Sequence, residues 1–215
     1  MTGKSFALVP FPAPAPVARL SKIRLEGSCN RKGDTLTLKY ELSGDLSGIV
    51  LPGVDPVRER RHGLWNATCF EFFLARGDGQ GYHEFNLSPA GHWNAFRFTG
   101  YRQGMCDETV VSRLPFTVSR SAGELQIGLT VDLSGLPAPE PANVEGSGKP
   151  GRERSSETAT NATNAGGTIN EGPLRWRLAV ATVLLGTDGT PSYWAVSHPA
   201  PEADFHHPGA FVIEL

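Results

Sequence analysis

Three short runs decide the fold: Cys69-Phe70-Glu71-Phe72-Phe73-Leu74, Tyr82-His83-Glu84-Phe85-Asn86-Leu87-Ser88 and Trp93-Asn94-Ala95-Phe96-Arg97-Phe98. In each, large apolar residues return at every second position, the period of an extended strand with one face buried. The links between them, Arg76-Gly77-Asp78-Gly79-Gln80 and Pro89-Ala90-Gly91, carry the turn chemistry of hairpins. The same period runs through Thr35 to Leu42, through Leu125, Ile127, Leu129 and Val131, and through Leu174, Trp176, Leu178 and Val180. A last strand is expected over Ala210 to Leu215. Roughly ten short strands broken by Gly and Pro predict an all-β chain, an antiparallel two-sheet β-sandwich.

Composition agrees and removes several function classes. The 215 residues include 25 Gly and 17 Pro, too many turn formers for a helical bundle. A net charge of −2 gives no basic field for nucleic acid. Cys29, Cys69 and Cys106 are far apart with no CxxC pair, so neither a disulfide framework nor a structural metal site is expected. Met1 to Pro10 lacks the apolar core of a secretory signal, and no later run reaches membrane-spanning length. A cytoplasmic protein with no membrane partner is therefore expected. From 137 to 172 the chain is Pro-, Gly-, Ser-, Thr- and Asn-rich, with Val144 and Ile169 its only branched aliphatics. Such a stretch buries too little to offset chain ordering and reads as a disordered insertion within a single domain spanning 1–215.

Chemistry is sought on the faces that the central strands turn away from the core. Placing Phe70, Phe72, Leu74, His83, Phe85, Leu87, Asn94, Phe96 and Phe98 inward turns Glu71, Glu84, Asn86, Trp93 and Arg97 to one outer surface. Flat rings beside carboxylate, amide and guanidinium groups suit a sugar, whose C–H faces stack while its hydroxyls bond. Against this stands the ordinary polar face of a half-solvated sheet, with Glu and Arg in plain cross-strand pairs. A Trp on the solvent side needs a ligand or a covering loop to explain it, which singles out Trp65 and Trp93. Trp176 is in register with Leu178 and Val180 and is expected in the core. Trp194, after the Thr187-Asp188-Gly189-Thr190-Pro191 turn, fits either role.

The segments Gly63 to Phe73 and Tyr82 to Phe96 resemble DOMON-like domains, which are related to family 9 carbohydrate-binding modules, and the tail Pro201 to Phe211 resembles the close of their bacterial subgroup. The resemblance implies a β-sandwich of Ig-like appearance that binds sugar or haem without catalysis. It further implies two rings clamping a sugar, with a carboxylate shortly after the first: Trp65 and Glu71 match these, and Trp194 is the candidate second ring. Haem-binding relatives use Met with His or Met with Lys, for which Met105 and His206 are the candidates, with His83, His198 and His207 also available.

Other readings are weaker. Neither a GxSxG elbow nor an HExxH motif is present. Asp204-x-His206-His207 could offer metal ligands, but adjacent His side chains diverge on an extended backbone, and a loop packed on the sheet is the simpler expectation. Glu71 and Glu84 are the one pair a glycosidase could use. The expected function is thus a non-catalytic module for a carbohydrate or similar polyhydroxylated ligand, without a cofactor. The expected ligand-binding residues are Trp65, Glu71, Glu84, Asn86, Trp93, Arg97 and Trp194. The alternatives are a haem-binding domain and an accessory domain that docks a protein partner through the same surface.

Overall fold

The computed structural model describes residues 3–12, 21–138 and 175–215. Most of the expected insertion at 137–172 therefore lies outside the described residues. The rest is all-β: β1 (Lys4–Pro10), β2 (Ile23–Lys32), β3 (Thr35–Gly44), β4 (Cys69–Arg76), β5 (Tyr82–Leu87), β6 (Trp93–Phe98), β7 (Cys106–Asp107), β8 (Phe116–Ser121), β9 (Glu124–Asp132), β10 (Trp176–Leu185), β11 (Pro191–Ala195) and β12 (Ile213–Glu214). No helix among the described residues is long and apolar enough to cross a membrane.

The strands make one continuous sheet rather than two separate ones, in the order β7-β6-β5-β4-β10-β11-β1-β2-β3-β9-β8, with β12 on the end of β10. The join is β1. Its first five residues pair with β2, and Val9 and Pro10 pair with Ala195 and Trp194 of β11. Pro10 can end a strand there because it lacks only the amide donor. All of these pairings are antiparallel.

The sheet curls so that its two halves enclose one core. Leu36, Leu38, Tyr40 and Leu42 of β3 alternate inward with no exposure, and Leu125 and Ile127 of β9 join them. From the other half come Phe70, Phe72 and Leu74 of β4, Phe85 and Leu87 of β5, and Trp176, Leu178 and Val180 of β10. Phe72 and Phe85 stack at 4.5 Å, and the Tyr40 hydroxyl donates to the Glu71 carbonyl at 2.7 Å, tying β3 to β4 across the interior. Burying a polar hydroxyl is tolerable only with such a partner.

The central strands are buried on both faces, which period-two reasoning from one core does not anticipate. A second apolar cluster covers the outer face of β4, β5, β6 and β10: Phe73, Tyr82, Phe96, Phe98, Ala179 and Ala181 pack with Phe205, Ala210 and Phe211. The last three belong to the segment before β12, which folds back over the sheet. Small Ala179 and Ala181 sit opposite Phe73 and Glu71 in register and leave room for that segment.

Candidate functional site

Facing residues on antiparallel strands share a side of the sheet, so the register fixes which groups can meet. Glu71 faces Asn86 on β5 and Ala181 on β10, and Glu84 faces Phe73 and Phe96. Both carboxyls therefore rise from the outer face, between β10 and β6. The covering segment does not fill this face. It leaves a cavity of about 490 Å³ whose lining includes Glu71, Glu84, Trp65, Tyr193, Arg102 and His206, with Phe98, Met105 and Phe205 among the apolar wall.

Two rings in this lining are accessible. Trp65 sits in a 3-10 turn, Leu64–Asn66, entered through Gly63 in the left-handed region (φ 72°). Its indole packs edge-on against Phe96 at 5.7 Å and remains 37% exposed. Tyr193 rises from β11 opposite Val183, contacts Phe205 at 6.1 Å and is 39% exposed.

The carboxyls below are nearly sealed. Glu71 is 3% and Glu84 4% exposed, and Oε1 of Glu71 has no hydrogen-bond partner. Burial, then the neighbouring Glu84 charge, raises the Glu71 pKa well above the usual carboxylate range, against a lowering hydrogen bond from Cys69. Burial also lifts Glu84, to about 7, although the Asn86 amide (Nδ2 to Oε1, 2.7 Å) and the Arg102 charge favour its ionised form. His206 closes one side. Its Nδ1 lies 2.8 Å from the Tyr82 hydroxyl and its Nε2 3.9 Å from Glu84 Oε2, and burial lowers its pKa to about 4, so the ring is neutral. Arg102, at a positive φ of 53°, donates to Asp204 at 2.7 Å, and Tyr101 donates to the same carboxylate. Burial would raise the Asp204 pKa, but these two hydrogen bonds outweigh it and hold the carboxylate ionised. The Asp204-x-His206 stretch is thus a strap fastened to the sheet.

Of the residues singled out in the sequence, the cavity gathers Trp65, Glu71 and Glu84. Asn86 lies behind them, fully buried, holding Glu84 and accepting from Cys69. Three others are elsewhere. Trp93 and Arg97 are on the opposite face, because Trp93 pairs with Leu87 and Arg97 with His83. β6 turns the opposite way to the sequence expectation: Phe96 and Phe98, expected inside, belong to the outer cluster. Trp93 instead joins the main core and the wall of a separate cavity of about 420 Å³, with Arg60 stacked on it at 4.6 Å. Arg97 is exposed and donates to Cys106 Sγ at 3.0 Å. Trp194 is 3% exposed in the main core and donates through Nε1 to Ser192 Oγ at 3.1 Å. Tyr193 and Arg102 were missed. Alternation along β11 puts Tyr193 and Trp194 on opposite faces, but nothing in a five-residue strand says which face is inner.

Met105 and His206 do line one cavity, as the haem reading requires. They do not fit an iron centre, because both nitrogens of His206 are turned to protein groups, the Tyr82 hydroxyl and the Glu84 carboxyl. Among the described residues no cluster of three His, Cys, Asp or Glu side chains is arranged to hold a metal ion.

No protein-family model matches the sequence, and no curated protein matches it. Among solved structures the fold is similar to one from Bacteroides uniformis ATCC 8492, a protein to which carbohydrate binding is provisionally ascribed. The TM-score is 0.53 at 14% identity, over 98% of this chain and 84% of that one. Weaker likenesses run to a family 9 carbohydrate-binding module from Caldicellulosiruptor kristjanssonii. In its cellotriose complex the TM-score is 0.49 at 8% identity, over 97% and 79% of the two chains. In its glucose complex it is 0.40 at 6% identity, over 80% and 66%. At 14% identity the likeness to the Bacteroides uniformis structure shows the fold alone.

Proposed function

We propose that the protein is a non-catalytic, DOMON-like binding module for a carbohydrate or a similar polyhydroxylated ligand, seated in the cavity between Trp65 and Tyr193. The observation that carries this reading is the pairing of two accessible rings with a buried, unpartnered carboxyl oxygen in one hollow. A sugar ring supplies C–H faces to the aromatic walls and hydroxyl donors to Glu71 and Glu84. Asn86 orients Glu84 from behind. The carbohydrate-binding role ascribed to the Bacteroides uniformis protein of similar fold points the same way.

Catalysis is a poorer account of the same carboxyls. A glycosidase keeps one carboxylate ionised while the other carries a proton. Here both carboxyls are more than nine-tenths buried and Oε1 of Glu84 is taken up by the Asn86 amide, which suits holding a ligand group rather than admitting an attacking water.

The test is a glycan array followed by calorimetry with the best binder, on the wild type and on Trp65→Ala. The variant should lose affinity at least tenfold while remaining folded, since the indole it removes is partly exposed and its ring contact is edge-on with Phe96. If Trp65→Ala unfolds the protein, or binds as the wild type does, the site is wrong.

A further inference from the structure

We propose that the cavity selects a ligand carrying a positively charged amine, an amino sugar rather than a neutral one, with the ammonium seated between Glu71 and Glu84. This deepens the carbohydrate reading above and rests on it. The geometry starts from the carboxyls. Glu71 and Glu84 both line the hollow, each more than nine-tenths buried, and Oε1 of Glu71 has no partner. A buried carboxyl oxygen without a donor carries the full desolvation cost of that group. An ammonium brings three donors and a charge of the right sign, so it can satisfy this oxygen and reach the neighbouring carboxyl together.

The charges facing the pair leave that role vacant. From β4, the Cys69 thiol is turned to Asn86 Oδ1 at 3.6 Å; from β5, Asn86 bonds Glu84, and Tyr82 is neutral, its pKa pushed up to about 12. From the covering segment, His206 is neutral, and the one guanidinium in the lining, Arg102, is ion-paired with Asp204 and acts on Glu84 only at a distance. No free cation thus faces the carboxyls among the described residues. The walls fit as well, because aromatic faces attract a cation placed over them, and Trp65 and Tyr193 both border the cavity with Phe98 and Phe205. A neutral sugar would gain the stacking but leave two like-charged groups facing each other whenever both ionise. A bound amine would instead favour their ionised forms, so its binding displaces the proton they hold.

The experiment uses three β-1,4-linked disaccharides that differ only at carbon 2 of each ring: hydroxyl in cellobiose, acetamide in the N-acetylglucosamine dimer, ammonium in the glucosamine dimer. Calorimetry is run at about pH 6.5, where the free sugar amine is largely protonated. The amine should bind at least about tenfold more tightly than the other two. Glu71→Gln and Glu84→Gln, which keep the shape and remove the charge, should each reduce that preference without lowering the melting temperature. Equal or tighter binding of cellobiose or the acetylated dimer overturns the amine proposal and leaves the carbohydrate site standing. If none of the three binds at millimolar concentration while the glycan array finds a different sugar, the amine proposal fails alone. If the array is also blank, both readings fail.

Discussion

Tyr193 and Trp194 are consecutive in sequence and face opposite sides of β11: Tyr193 stands accessible at the cavity opposite Val183, and Trp194 is sealed in the main core opposite Thr182. On the proposed site the two rings separate binding from stability. Tyr193→Ala should cost less than about 1 kcal/mol of stability but weaken ligand binding tenfold or more. Trp194→Ala should cost about 3–5 kcal/mol, read from urea unfolding. The reverse pattern would move the site to the other face of the strand.

Arg60 explains why an aromatic ring on β6 need not signal a ligand. Its guanidinium lies over Trp93 and donates to the Glu108 carbonyl at 3.0 Å and to the Val111 carbonyl. Arg60→Ala should destabilise the protein by roughly 1–3 kcal/mol, losing a cation–π contact and the bonds to those carbonyls. Ligand affinity, measured under conditions where the variant is folded, should not change.

Gly27 has a steric role at the seam. A Cβ there would lie 2.2 Å from the Lys39 carbonyl oxygen and 2.5 Å from the Phe6 ring. Gly27→Ala should therefore destabilise by about 1–3 kcal/mol, by forcing β2 away from β1 and β3. Thermal unfolding checks this.

The carboxyls and His206 impose opposite pH slopes. Glu84 titrates near 4.5 when unfolded and near 7 when folded, so its contribution to stability is complete below 4.5 and is lost as pH rises through 7. His206 moves from 6.5 to about 4, so its contribution is complete above 6.5 and is lost as pH falls through 4. Between 4.5 and 6.5 the two slopes oppose each other. Above 6.5 the carboxyl slope acts without the histidine's, and Glu71, raised in the same direction, reinforces it. The urea midpoint should thus fall between about pH 6.5 and 8, and Glu84→Gln should flatten that fall.

The inner faces of β3 and β9 are readable because each alternates cleanly against a single core, and those of β4, β5 and β10 because their large apolar residues keep the period although both faces are buried. The sequence also placed Glu71 and Glu84 side by side, since both sit out of phase with Phe residues that must be buried. β6 misled because it is aromatic on both faces: Trp93 goes inward and Phe96 and Phe98 outward. Only pairing with β5 decides that, and register is not a property of one strand. Of the covering segment, Asp204 to His207 is expected as a loop on the sheet, whereas Ala210 and Phe211, expected to open a last strand from Ala210 to Leu215, lie before β12, which is only Ile213–Glu214. That Phe205 and Phe211 would form a second core, and His206 a wall of the cavity, depends on contacts more than a hundred residues apart in sequence. β1 reads as a proline-broken run, and its role as the join between sheet halves rests on pairing with both β2 and β11.

The central claim is that the ligand sits against Trp65 on the outer face. The chain has four Trp, at 65, 93, 176 and 194, and so four indole N–H signals in a ¹⁵N-labelled sample. Titrating the sugar selected by the array should shift the Trp65 signal strongly and leave those of Trp93, Trp176 and Trp194, all in the main core, in place. A shift confined to Trp93 or Trp194, with Trp65 unmoved, would contradict the account.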